Sequence, residues 1–222
     1  ADSKTKPSDL MFLDVFAERW NNRFAAEQLI ELDEGQTELP EQFIQKLEER
    51  DPLALVRTLF PRVAAIVQKH AETAKDGSVI DKVWGWKSFG SEHGFRAALL
   101  GSLRRAVAKM AVEVPAEFDK LSQPVGALPH ETIGFLLLSA WAANPQRYAD
   151  KAATYLCSDP QRLDIGYTSW GGGGYGPGHI SRVTVRAIAP HCSAENYGRL
   201  ERAILQFEEF GERSRRDRKS VV

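Results

Sequence analysis

The sequence lacks a surplus of charge of either sign. Its 222 residues include 29 lysines and arginines against 30 aspartates and glutamates, which gives a formal net charge of −1. A chain with this balance has no overall electrostatic field that would attract nucleic acid or an anionic membrane. The composition therefore argues against a nucleic-acid partner and against a membrane-surface protein.

Cysteine is scarce, and long apolar runs are missing. Cys157 and Cys192 are the two cysteines, and without a second pair they indicate reduced thiols in a cytoplasmic protein rather than a disulfide framework. The longest apolar run, residues 133–143, is too short to span a bilayer. No charged-then-apolar leader opens the chain. We expect no membrane partner.

Patterns that carry catalysis or bind cofactors are also missing. The five histidines are scattered, and no pair has the spacing of a zinc site. The run Gly171 to Gly174 is not followed by the Gly-Lys-Ser/Thr that a phosphate-binding loop requires. The sequence therefore predicts no catalytic residue, no cofactor and no metal. An enzyme that uses a cleft histidine such as His191 is the hypothesis with the least support.

Residues that typically begin or interrupt a helix occur at several positions. Asp51, Asn144 and Asp159 each precede a proline, which is typical of an N-cap followed by the first helical residue. Ser193 is placed to cap another helix. Pro61 interrupts an apolar segment, and we expect it to kink or restart the helix there.

One segment predicts a fully buried helix. Pro129 opens it, and the apolar residues that follow at helical spacing are Ile133, Leu136, Leu137, Ala140 and Trp141. Phe135 and Leu138 make other faces apolar too, so we expect this helix to be the most central and Trp141 to be part of the core.

A later segment, residues 180–188, is less clear. Val183 and Val185 are β-branched, but the flanks favour a helix. Its predicted apolar face comprises Ile180, Val183, Ala187 and Ile188.

These segments predict an all-α fold of stacked αα-hairpins, a solenoid-like segment of the TPR or HEAT kind. No strict repeat period is present. We divide the chain into an N-terminal helical segment (1–39), a helical-repeat domain (40–210) and a basic tail or the start of the next element (211–222). The tail is typical of a solvated face or linker, although its arginines could contact phosphate.

Two long connections, the first loop (residues 76–94) and the second loop (residues 166–179), are rich in glycine and aromatic residues. The aromatic residues that could bind a partner are Trp84, Trp86, Phe89, Trp170 and Tyr175. Such residues contribute most of the binding energy at interfaces. Two alternatives stay open: the aromatics of the first loop could pack as a satellite core, and the second loop could be a flexible surface connection.

Two stretches carry a family resemblance. The first is Asn144-Pro145-x-Arg147-Tyr148-Ala149 with the segment that follows it to Tyr167, and the second is Ala189-Pro190-His191-Cys192-Ser193 with the helix after it. Both resemble the helical-repeat regions of large bacterial STAND-type NTPases of the AVAST-like antiphage defence family. In that family an effector and a nucleotide-binding motor precede a TPR-like array that senses a foreign protein. No Walker motif and no nuclease or protease motif is present in this sequence.

The resemblance implies a non-catalytic fragment of a larger polypeptide. Its partners would be a foreign protein, such as a phage protein, and the other domains of the parent chain. The alternative is a stand-alone helical adaptor or regulatory protein whose basic tail makes weak contact with nucleic acid.

Overall fold

The computed structural model describes residues 38–73, 79–81, 83–84, 88–89, 95–168 and 178–207. This part of the chain is predominantly helical, which confirms the all-α prediction. Its helices are α1 (Glu38–Arg50), α2 (Pro52–His70), α3 (Phe95–Glu113), α4 (Pro115–Ser122), α5 (Glu131–Ala143), α6 (Pro145–Cys157), α7 (His179–Ile188) and α8 (Ala194–Gln206), with 3-10 turns at Pro160–Asp164 and Ala189–His191. Most of the predicted N-terminal segment and the basic tail lie outside the described residues.

The predicted helix starts are largely confirmed. The Asp51 carboxylate accepts the backbone N–H of Ala54 at 3.0 Å, and the Ser193 hydroxyl caps α8 by accepting from the third residue after it. Asn144 behaves differently, because its amide donates to the carbonyl oxygen of Ala111 at 2.9 Å instead of capping α6. That bond joins the start of α6 to the end of α3.

Three helices differ from the prediction. Helix α2 runs from Pro52 to His70 without a restart at Pro61, which is exposed on the helix surface, where water can satisfy the carbonyl group that the proline leaves unpaired. Helix α5 begins at Glu131, two residues after Pro129. Helix α4 was not predicted, because its eight residues are too few to display a clear apolar period.

Four short strands also lie outside the prediction. Strands β1 (Ala71–Thr73) and β2 (Val79–Asp81) form an antiparallel pair. Strands β3 (Ser88–Phe89) and β4 (Tyr167–Thr168) form a parallel pair. Elements of two or three residues cannot show the alternation of polar and apolar residues that identifies a strand in a sequence.

Helices α3, α5 and α6 make most of the contacts between helices. Helices α1, α2 and α5 pack on α3, α7 packs on α5, and α6 contacts α5, α7 and α8. Helix α5 is central as predicted, since every residue from Thr132 to Trp141 is buried. Gly134 permits this, because a Cβ atom there would lie 2.6 Å from the Tyr155 hydroxyl and 2.6 Å from Cδ1 of Ile165.

The buried face of α7 differs from the predicted one. Val183 is 38% exposed, whereas Ser181 and Thr184 are buried. The Thr184 hydroxyl donates to the carbonyl oxygen of Leu138 at 3.2 Å, so its burial leaves no hydrogen-bonding group unsatisfied. Ile180 and Ile188 are buried as predicted, so the buried face gains two hydroxyl groups and excludes the apolar Val183.

Candidate partner-binding surface

The two long loops meet in the folded chain. Strand β3 belongs to the first loop and strand β4 to the second, and their parallel pairing places Ser88 beside Tyr167 and Phe89 beside Thr168. These segments are almost 80 residues apart in sequence. The structure thus joins the two segments that the sequence singled out for partner binding.

The first loop is fixed by a buried carboxylate. Asp81, at the end of β2, is 5% exposed. One of its oxygens accepts the backbone N–H groups of Val83 and Trp84, each at 2.9 Å. Its other oxygen accepts the hydroxyl of Thr132 in the first turn of α5. An ionised acceptor shared by three donors holds this part of the loop against the central helix.

A buried histidine lies beside this carboxylate. His130 precedes α5, is 8% exposed, and its Nδ1 has no hydrogen-bond partner within the described part of the chain. Burial lowers the pKa of His130 below its ordinary value of 6.5, and the negative charge of Asp81 opposes this in part. The imidazole is therefore neutral in the folded protein at neutral pH.

We expect the protein to lose stability as the pH falls below 6.5. Because the folded-state pKa of His130 is lowered, the unfolded chain takes up this proton first. The contribution of His130 is complete above pH 6.5 and is lost as the pH falls through the lowered pKa. Urea unfolding between pH 7.5 and 5 measures the change, and His130→Gln should flatten the profile. The same substitution at the exposed His191 is the control; an equal flattening there would contradict this assignment.

The second loop is fixed at both of its ends. Gly166 and Gly178 adopt positive φ angles of 86° and 76°, which favour glycine. The backbone N–H of His179 donates to the carbonyl oxygen of Gly166 at 3.0 Å. Ser181 links the same region from α7, because its hydroxyl accepts the N–H of Ile165 at 3.1 Å.

The first turn of α5 anchors both loops. Thr132 donates to Asp81 of the first loop. The preceding residue, Glu131, accepts the N–H of Gly166 at 3.4 Å, at the base of the second loop. Two consecutive residues of the central helix therefore hold a segment of each loop against the core.

The structure locates the predicted partner-binding aromatics as follows. Trp84 is 5% exposed and belongs to the hydrophobic core, as the packing alternative for the first loop predicts. Phe89 lies in β3, next to the second loop. Trp86, Trp170 and Tyr175 lie outside the described residues. Partner binding through these side chains stays a prediction.

The residues that organise the surface were not singled out by the sequence. Asp81, Glu131, Thr132 and Ser181 are common polar types that belong to no recognisable motif. The one available signal was Thr132 in the first turn of a helix that is apolar on every face, since a hydroxyl in a buried position requires a partner. That partner, Asp81, lies 51 residues earlier and could not be inferred from spacing.

The two cysteine thiols lie in surroundings that disfavour the thiolate. Burial raises the pKa of both cysteine thiols, so Cys157 and Cys192 are protonated at neutral pH and are poor nucleophiles. Within residues 38–207, where the structure describes them, no group of three or more His, Cys, Asp or Glu side chains could hold a metal ion. No helix in those ranges is long and apolar enough to cross a membrane.

Comparison of the chain with protein-family models, with curated proteins and with solved structures found no match.

Proposed function

We propose that this chain is a non-catalytic helical scaffold that recognises another protein through a surface formed by its two long loops. The observation that carries the proposal is the parallel pairing of β3 with β4. Helices with fixed ends can present variable loops without loss of core packing, which is why recognition often resides in such connections. The aromatic residues of both loops would supply the binding energy.

The helix packing supports a repeat-like scaffold. Stacked αα-hairpins make contacts between helices that are next but one in the chain, and α1 with α3, α3 with α5, α5 with α7 and α6 with α8 are contacts of this kind, while α2 packs on α3. In such arrays each hairpin buries its apolar face on the next hairpin. The surface loops are then held at defined spacings, as a protein-sensing surface needs.

The family resemblance extends the proposal to the parent protein. A helical-repeat region of a STAND-type NTPase in antiphage defence would sense a phage protein and transmit that event to a motor elsewhere in the polypeptide. A Walker A motif in the same reading frame as this chain is the expected finding. A reading frame that encodes no nucleotide-binding motif would remove the NTPase from the proposal and leave the scaffold.

Photo-crosslinking tests the recognition surface directly. A benzoylphenylalanine at Trp170 should capture a protein in phage-infected cells, whereas the same group at Leu205, which is 80% exposed on α8, should not capture that protein. The captured protein is then purified and titrated with the wild-type chain and with Trp170→Ala/Tyr175→Ala. We expect the double variant to weaken binding at least tenfold with an almost unchanged melting temperature.

Two results would contradict the proposal. Equal affinity for the double variant and the wild type would exclude the second loop from recognition. A large fall in the melting temperature of the double variant would show that the two rings pack in the core. Leu205→Ala is the matched control for loss of an exposed apolar side chain and should change neither quantity.

A further inference from the structure

Helix α8 has one side that no other described element covers. It packs mainly on α6, and Leu200 is the one buried residue among its thirteen. Helix α6 has the same length and buries six residues. The apolar residues Tyr197, Ile204 and Leu205 of α8 are exposed. An amphipathic helix with so little of its apolar surface buried has a face that another helix can cover.

The apolar residues of this face form two rows along the helix. Tyr197 and Ile204 are seven residues apart, which is about two helical turns, so they lie on one line. Ala194 and Leu205 are eleven residues apart, about three turns, and form a second row beside the first. At Gly198, next to the second row, a Cβ atom would lie within 4 Å of only one side-chain atom, in Arg202 at 3.7 Å. A second helix can therefore approach this side of α8.

Charged residues accompany the apolar rows. Glu195 and Arg202, again seven residues apart, lie beyond the second row, and Glu201 lies between the two rows. All three side chains are exposed. Within the described ranges none of the three has an ion-pair partner. The face thus includes acidic and basic groups that can form charge-assisted hydrogen bonds across an interface.

We propose that two copies of this chain associate through this face of α8, with the two helices antiparallel about a twofold axis near the middle of the helix. A twofold interface is self-complementary, because each contact of one residue with another is repeated in reverse. Tyr197 then contacts Ile204 of the second copy, and Ala194 contacts Leu205 of the second copy. Both apolar rows are covered by this arrangement.

The charges of the face also match in the antiparallel arrangement. Glu195 lies beside Arg202 of the second copy. Glu201 lies opposite Gly198 of the second copy, where the Arg202 guanidinium covers the glycine. Each carboxylate of the interface therefore has a cation close by, which avoids the cost of an unpaired buried charge. The midpoints of the three residue pairs, 194 with 205, 195 with 202 and 197 with 204, all lie between residues 198 and 201, so one axis relates them.

A second copy fits this face better than a partner of a single charge sign does. Such a partner would place like charges opposite either the glutamates or the arginine, which disfavours binding. The outer face of a terminal hairpin in a helical array is polar, whereas α8 presents three large apolar side chains. These side chains indicate that the face is covered, and the match of its charges with themselves indicates that another copy covers it.

The size of the face predicts a weak dimer. Helix α8 has thirteen residues and is about 20 Å long. A pair of such helices buries less than the ~1,600 Å² of a standard interface. The dimer should therefore dissociate at the low chain concentrations that suit the unfolding and affinity measurements, where Leu205→Ala serves as a control.

Sedimentation velocity over a series of chain concentrations tests the proposal, and the wild type should convert from monomer to dimer as the concentration rises. Leu205→Arg should raise the dimer dissociation constant at least tenfold, because it places a charge in an apolar row. Arg202→Glu should have a similar effect, because it opposes Glu195 with a like charge, and Glu195→Arg/Arg202→Glu should recover part of the loss. The control Lys46→Glu makes the same change of charge at an exposed position on α1 and should change the constant less than twofold.

Four outcomes would overturn the proposal. A wild-type chain that stays monomeric up to its solubility limit would show that something other than a second copy covers α8. A dimer that Leu205→Arg leaves intact would use another face. Equal weakening by Lys46→Glu and Arg202→Glu would show a general charge effect, and no recovery in the double variant would exclude the antiparallel pairing. Trp170→Ala/Tyr175→Ala should dimerise as the wild type does, so the dimer and the recognition surface are tested independently.

Discussion

Replacement of Trp141 by alanine should lower the free energy of unfolding by about 3–5 kcal/mol, because it removes the largest fully buried side chain in the described part of the chain. Trp141 is 2% exposed and lies on α5, the central helix. Its ring packs edge-on against Tyr155 with the centroids 5.3 Å apart. The Lys151 ammonium lies 5.6 Å from the indole centroid. Urea unfolding at pH 7.5 measures the loss.

Two further variants make this result specific to burial. Leu205→Ala removes an apolar side chain that is 80% exposed, and it should change the free energy of unfolding by less than about 0.5 kcal/mol. Trp141→Phe keeps an aromatic ring and removes the indole Nε1, which is buried and has no hydrogen-bond partner among the described residues, so it should cost less than alanine does. A Trp141→Ala protein as stable as the wild type would contradict the placement of α5 at the centre.

Asp81→Ala should destabilise the protein by a similar amount, about 3–5 kcal/mol. The substitution removes the shared acceptor of three buried donors, the N–H groups of Val83 and Trp84 and the hydroxyl of Thr132. A buried donor left without a partner costs about 1–3 kcal/mol. The first loop should also detach from α5, which hydrogen exchange at the amides of Val83 and Trp84 would detect.

Conservative variants distinguish the loss of these hydrogen bonds from nonspecific destabilisation of the fold. Asp81→Asn keeps the oxygen that accepts the two backbone N–H groups and should cost only about 1–2 kcal/mol. Thr132→Val removes one donor and leaves the other two bonds intact. If Asp81→Ala proved no more destabilising than Asp81→Asn, the carboxylate would not be what holds the loop.

Local features of the sequence determined where two helices begin and which helix is central. Asp51 followed by Pro52 fixed the start of α2, and Ser193 fixed the start of α8, because capping requires only a side-chain oxygen next to its own helix. The apolar residues on every face of α5 determined its central position. These features depend on residues within one or two turns of each other, so they can be predicted without knowledge of the fold.

Only the tertiary structure decided how the candidate site is assembled. The pairing of β3 with β4 joins segments almost 80 residues apart, and Asp81 finds Thr132 across 51 residues. The change in the buried face of α7, with Thr184 buried and Val183 exposed, has the same origin. A hydroxyl can be buried where a neighbouring helix offers a carbonyl oxygen, as Leu138 does. Whether such a partner exists depends on contacts between distant segments, and no local pattern of residue types encodes them.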